Sequence, residues 1–118
     1  MSPTPLQDVS LEAAGPGTTV VVFSGEHDLA TRDEVKELLS GAVESNDLVI
    51  ADFSDAQFVD GSVLRTVVEV ERQARAQGRT FRLALGTATI VHRAFEVCGV
   101  FDAIDHSPTR EQALAKGR

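Results

Sequence analysis

Apolar residues along this chain fall into short runs and stripes, each bounded by a turn or capping signal. T-T-V-V-V-F-S at 18 to 24 is β-branched and apolar and predicts a buried strand. It follows G-P-G at 15 to 17, a turn signal, and the weak alternation over 6 to 13 predicts a first, edge strand in a hairpin. Thr31 with Glu34 three residues on has the form of a capping box. Behind it Val35, Leu38, Leu39, Ala42 and Val43 share one helical face, predicting a helix that ends near Ser45-Asn46. L-V-I-A-D at 48 to 52 reads as a second, fully buried strand. Val63, Leu64, Val67, Val68, Val70 and Ala74 form a broad stripe on a helix over 61 to 77, with Arg65, Glu69, Arg72 and Gln73 largely outside it and Gly78 as its stop. T-F-R-L-A-L at 80 to 85 alternates as a strand does. G-T-A-T at 86 to 89 is a turn with a cap, residues 89 to 98 predict a third helix ending at Gly99, and V-F-D-A-I at 100 to 104 a short strand. Ser107-Pro108 reads as an N-cap with proline at the first helical position, opening a short last helix.

The predicted order is β-β-α-β-α-β-α-β-α. Strands alternating with helices imply an α/β domain with a mostly parallel or mixed sheet of about five strands and four helices. The 118 residues suit one domain with one core, residues 1 to 5 being a flexible N-terminus. In such a sheet the loops leaving the carboxyl ends of the strands carry function. Here they are S-G-E-H-D-L-A-T at 24 to 31, D-F-S-D-A-Q-F-V-D-G-S at 52 to 62, and G-T-A-T at 86 to 89.

Composition narrows the functional classes. Eighteen acidic against eleven basic residues give a net charge of −7, and there is no Trp or Tyr. That field repels phosphate backbones, and the chain lacks the larger rings that stack on bases, so direct nucleic-acid binding is disfavoured. A basic patch on a folded partner is the better electrostatic match. The longest apolar runs are far too short to span a bilayer, and M-S-P-T-P has no basic or apolar region of a secretory signal, so a cytoplasmic protein, complete as written, is expected. The single cysteine, Cys98, excludes an internal disulfide or a cysteine zinc site and reads as a small buried core residue.

The stretch from Asp52 to Ser62 concentrates oxygen-bearing side chains on the expected functional edge. Asp28, Asp52, Asp55 and Asp60 have the oxygen ligands that Mg²⁺ prefers, as in a phosphoaspartate receiver. A receiver also needs a lysine at a strand end, and both lysines here, Lys36 and Lys116, fall on predicted helices. For nucleophilic catalysis Ser62 would need a base, with His27 on the neighbouring loop as the candidate. Yet there is no G-x-S-x-G elbow, Walker loop or G-x-G-x-x-G, while His92 and His106 read as solvated. The plainest reading is structural: Asp60 caps a helix and Ser62 lies in its first turn. That reading does not exclude function, because the free N–H groups and dipole of a first turn also favour a phosphate.

Three motifs in this order resemble the STAS domain family, found in anti-anti-sigma factors and in sulfate transporter tails. They are G-E-H-D at 25 to 28, D-F-S-D-A-Q-F-V-D-G-S-V at 52 to 63, and H-R-A-F-E-V-C-G-V at 92 to 100, and the resemblance spans roughly residues 15 to 115. It implies a partner-switching protein with no cofactor and no enzymatic activity of its own. Unphosphorylated, such a protein binds an anti-sigma factor that is itself a serine kinase, and so frees a sigma factor; phosphorylation at the start of the second helix ends the complex. Aligned through Asp60, the phosphorylated position is Ser62, and Asp28 matches the family's phosphate-side aspartate. Asp55, Asp60, Gly61 and Val63 complete the expected partner-binding and phosphosite-supporting set, on an already acidic edge. Gly61 stands where the family has a serine, Val63 where it has a glycine, and His27 where an apolar residue is frequent. The alternatives are a STAS adaptor that is not phosphorylated, for example one serving a transporter, and the Mg²⁺-dependent receiver-like domain.

Overall fold

A computed structural model describes residues 9–86, 89–97 and 99–117. The segment 1–5 and Cys98 lie outside the described residues, as does the middle of the 86–89 turn. The elements are β1 (Val9–Ala13), β2 (Thr18–His27), α1 (Arg32–Ser45), β3 (Leu48–Val59), α2 (Gly61–Ala76), β4 (Thr80–Ala84), α3 (Thr89–Val97), α4 (Val100–Ala103), β5 (His106–Ser107) and α5 (Arg110–Ala115), with a 3₁₀ turn, Leu29–Thr31, ahead of α1. The five strands lie side by side in chain order. β1 runs antiparallel to β2, and every later pairing is parallel. The expected hairpin closes through Ala14 N–H to Thr18 O and Thr18 N–H to Gly15 O, with Gly17 at φ 68°.

Each parallel strand is added on the same side of the last. Right-handed crossovers then carry the intervening helices over one face of the sheet. Val35, Leu39 and Val43 of α1, Val63, Leu64, Val67 and Val70 of α2, and Val91 and Phe95 of α3 accordingly share one core with Val21, Phe23, Val49, Ala51 and Phe53 of the strands. At its centre Phe53 stacks on Phe23 at 4.4 Å and meets Phe95 edge-on at 5.1 Å. The opposite face carries a smaller cluster, Val20, Val22, Leu48, Ile50 and Ala84, closed by Ala113 of α5.

Five expectations are corrected. β3 does not end at Asp52 but runs on to Val59, so most of the presumed loop is strand. β2 likewise continues through His27. Between Val22 and His27 of β2 the pairing with β3 shifts register twice, leaving β3 two residues longer over the same span. These bulges change the spacing of core-facing β3 residues from two (Val49, Ala51, Phe53) to three (Ala56, Val59), which hides the strand from a period-two reading. Gly25, at φ 70°, supplies the left-handed backbone beside the second shift.

Next, residues 100 to 104 form a helical turn, not a strand. Val100 and Ile104 are both in the core at i, i+4, and Ile104 N–H bonds Val100 O at 2.9 Å. α4 is therefore a single turn beyond the four expected helices, and the fifth strand is His106–Ser107. The last cap also moves. Leu85 N–H and Gly86 N–H bond the carbonyls of Ser107 and Pro108, extending the ladder, so Thr109 caps α5 by accepting from Gln112 N–H at 3.1 Å. Finally, Thr31 and Glu34 make no capping box. Thr31 turns its hydroxyl to Asp28 O, because the 3₁₀ turn has already placed Thr31 on the helical path.

The stacked Phe53 carries the main core, so Phe53→Ala is expected to cost about 3–5 kcal/mol of stability, checked as a fall in the urea midpoint at unchanged slope.

Candidate functional site

β2 and β3 end together. His27 pairs with Val59, and the next residue on each strand is an aspartate, Asp28 and Asp60. Neighbouring strands lie about 4.8 Å apart, so the two aspartates leave the same edge side by side. Asp60 N–H bonds His27 O at 2.9 Å, tying the start of α2 to the end of β2. Asp28 caps the 3₁₀ turn, its Oδ1 accepting from Ala30 N–H at 3.0 Å.

Asp60 caps α2 as expected. Its Oδ2 accepts from Ser62 N–H at 2.9 Å and from the Ser62 hydroxyl at 2.6 Å. Its carbonyl takes the N–H groups of Val63 and Leu64, the first bonds of the helix. The Ser62 hydroxyl bond is the leading cause that holds the Asp60 carboxyl below its ordinary value of 3.8, followed by the Ser62 backbone N–H; the Arg65 charge adds to them. Ser62 is half-buried at this edge, with its hydroxyl held in one orientation.

Gly61 is the first residue of α2 and has no positive φ, and a Cβ built there meets nothing within 4 Å. The position has room for the serine that the resemblance places there. Val63 is fully buried in the main core and fixes the helix start from below. Asp55 is exposed and pairs in register with Ser24, five residues ahead of Asp60. At about 3.3 Å per residue it stands well back along β3 from the cap.

The structure separates the other aspartate, Asp52, from this edge. It is 1 % exposed and faces α5: Oδ1 accepts from Ser54 N–H and hydroxyl, and Oδ2 from Arg110 Nε at 2.9 Å. Among the described residues no group of three or more His, Cys, Asp or Glu is placed to hold a metal ion. His27 is 2 % exposed, packs edge-on against Phe23, and donates from Nε2 to Ser24 O at 2.9 Å. Its Nδ1 has no partner, so it makes no bond to Ser62 and is not its base. His106 sits in β5, with Nδ1 at 3.2 Å from Ile104 O, and not in a solvated turn.

Two features of the site escape a reading of the sequence. Leu29 and Phe58 flank the paired aspartates and are 61 % and 42 % exposed, an apolar component at the strand ends. Ser62 also opens onto a groove of about 220 Å³ between α1 and α2, lined by Arg32, Lys36 and Arg65 with Asp33, Thr66 and Glu69. The edge expected to be acidic is thus acidic on the strand side and of mixed charge on the helix side, where three cations face two carboxylates. The spacing of Ser62, Arg65, Thr66 and Glu69 at i, i+3, i+4 and i+7 puts them on one face of α2; the α1 cations arrive only through packing.

The family model for the STAS domain matches residues 12–113, which take in nearly all of this five-stranded mixed sheet and its helices. The chain belongs to that family. Its fold is similar to that of an anti-sigma factor antagonist from Mycobacterium paratuberculosis, at 20% identity over 92% of this chain and 91% of that one with a TM-score of 0.83. The anti-sigma factor antagonist SpoIIAA in its unphosphorylated form matches at 22% identity over 92% and 94%, with a TM-score of 0.76. The phosphorylated form of the Bacillus cell fate determinant SpoIIAA matches at 22% identity over 93% and 99%, with a TM-score of 0.70. At these identities the likeness is one of fold. No curated protein matches the chain by sequence. Among the described residues no helix is long and apolar enough to cross a membrane.

Because the folded Asp60 carboxyl is held below its ordinary value, its ionised form is the stabilising one. Its contribution is complete above that ordinary value of 3.8 and is lost as the pH falls through the folded value. Asp60→Ala should therefore lower Tm by a few degrees from pH 5 to 8, with the gap to wild type closing below pH ~4; thermal melts of the two chains across that range check it.

Proposed function

We propose that this STAS domain is an anti-sigma factor antagonist. Unphosphorylated, it binds an anti-sigma factor that is a serine kinase, and phosphorylation of Ser62 ends the complex. In this reading it is a binding switch acting in the cytoplasm and not itself an enzyme. The observation that carries the reading is the Ser62 hydroxyl, held at 2.6 Å by Asp60 in the first turn of α2 at the end of β3. The fold likeness to anti-sigma factor antagonists, one of them phosphorylated, supports it.

The chemistry follows from the cap. Transfer of the γ-phosphoryl group of ATP forms an Oγ–P bond on Ser62, breaks the β,γ-bridging P–O bond, and releases ADP and the hydroxyl proton. The product brings about −1.5 to −2 charges. It also removes the donor in the Oγ–H bond to Asp60, leaving a phosphate beside a carboxylate. A partner surface that fitted a small neutral hydroxyl then meets a bulky anion, and desolvating that anion costs several kcal/mol. Asp28 and Asp60 shape the strand side of the contact, Leu29 and Phe58 are its apolar anchors, and Val63 holds the helix start in place. Asp55, back along β3, lies at the rim.

The test uses wild type and Ser62→Asp as parallel baits in lysate of the source cell. A small ATP-binding kinase recovered with wild type and lost with Ser62→Asp is the expected result. Recovery of the same partner by both baits would contradict the switch. Leu29→Ala should weaken capture of that kinase about tenfold or more while leaving Tm unchanged, since the side chain is mostly exposed in the free chain.

A further inference from the structure

The groove between α1 and α2 has a use that the switch alone does not require. Three cations line it beside the Ser62 hydroxyl: Arg32 and Lys36 from α1, and Arg65 from α2. Arg65 lies one turn on from Ser62, a spacing of about 5–6 Å between Cβ atoms. Lys36 already reaches across to α2, with Nζ 3.2 Å from Glu69 Oε2, and Arg32 bonds its neighbour Asp33 at 3.3 Å. Both are exposed ion pairs and therefore weak. Their cations can be drawn to a stronger anion at little cost.

A phosphate on Ser62 would be that anion. With the Oγ proton gone, the bond to Asp60 becomes a repulsion between carboxylate and phosphate. Rotation about the Ser62 side chain away from Asp60 leads toward the helix side of the edge, where the groove offers room and positive charge. We propose that phosphorylated Ser62 is held in cis in this groove, its phosphoryl oxygens paired by Arg65 and Arg32 with Lys36 as a third charge. The inference rests on the reading of Ser62 as the phosphosite and adds a second action to it. Phosphorylation then does more than place an anion in the contact: it also takes up the cations that the free domain presents beside the hydroxyl, so the net charge of the groove lining changes sign from positive to negative.

The experiment installs phosphoserine at position 62 of the full chain by genetic encoding, so no kinase is needed. The phosphoryl group is titrated by ³¹P NMR in wild type, in Arg65→Ala, and in the triple variant Arg32→Ala, Lys36→Ala, Arg65→Ala, with circular dichroism to confirm folding. The charged groups around the phosphate are Asp28 and Asp60 at the strand ends, and Arg32, Asp33, Lys36, Arg65 and Glu69 in the groove. Cation pairing predicts that the second phosphate pKa rises by at least about half a unit, a threefold change in proton affinity, from wild type to the triple variant. Arg65→Ala should give part of that rise, Arg65→Lys should stay close to the wild-type value, and high salt should shrink the difference. Identical titration of wild type, Arg65→Ala and the triple variant would overturn the inference, and Arg65→Ala alone decides it should the triple variant not fold. That result would leave the phosphosite reading standing, because the phosphate is installed without a kinase; conversely, a kinase that never modifies Ser62 overturns the phosphosite reading whatever the titration gives.

Discussion

The parallel pairing of β2 with β3 is the constraint on which the site depends. The two strands begin in register at Thr18 and Leu48 and end in register at His27 and Val59, although β3 spends two more residues on the way. Each extra residue is a bulge, and together they keep Ala56 and Val59 on the core face while re-aiming the strand ends. Because the ends meet, Asp28 and Asp60 emerge together, and the bond from Asp60 N–H to His27 O locks the start of α2 against β2. Remove the second bulge and the cap, with Ser62, would turn to the other face of the sheet.

The remainder of the structure keeps this edge rigid. His27 stands under it as a buried side chain bonded back to Ser24 and packed against Phe23, so the strand end is anchored from inside. At the far side of the sheet, the buried carboxylate of Asp52 is matched by Arg110, which reaches on to Glu12 of β1 at 3.0 Å. Arg82, also buried, bonds Asp105 and the carbonyl of Ala113. These bonds fasten α5 across the second face, which its short apolar patch alone would cover weakly. Asp52, which looks like candidate chemistry in the sequence, thus helps to fasten the last helix.

How much of this is legible in the sequence depends on whether a local rule or a tertiary one decides the residue. α1 and α2 show themselves through i, i+3, i+4 stripes, and the Asp60 cap through residue type alone. The end of β3 does not, since its bulges break the period-two pattern and Ser54, Asp55 and Gln57 give the stretch the polarity of a loop. Residues 100 to 104 carry apolar side chains at both period two and i, i+4, and packing of Val100 and Ile104 into one core decides for the helical turn. Thr31 and Glu34 have the letters of a capping box, yet Asp28 captures the turn first. The phosphosite reading takes Ser62 from sequence and resemblance, whereas the cations around it come from two helices whose approach only the fold provides.

A hydroxyl fixed by a carboxylate and opening onto a groove with three cations is what the proposed switch at Ser62 requires. The most direct measurement is to incubate the purified chain with ATP and the ATP-binding anti-sigma kinase proposed as its partner, and to locate the added phosphate by tandem mass spectrometry. The account predicts close to one phosphate per chain, on Ser62, appearing as the complex dissociates. Phosphate on another residue, or a complex that persists with Ser62 fully modified, would contradict it.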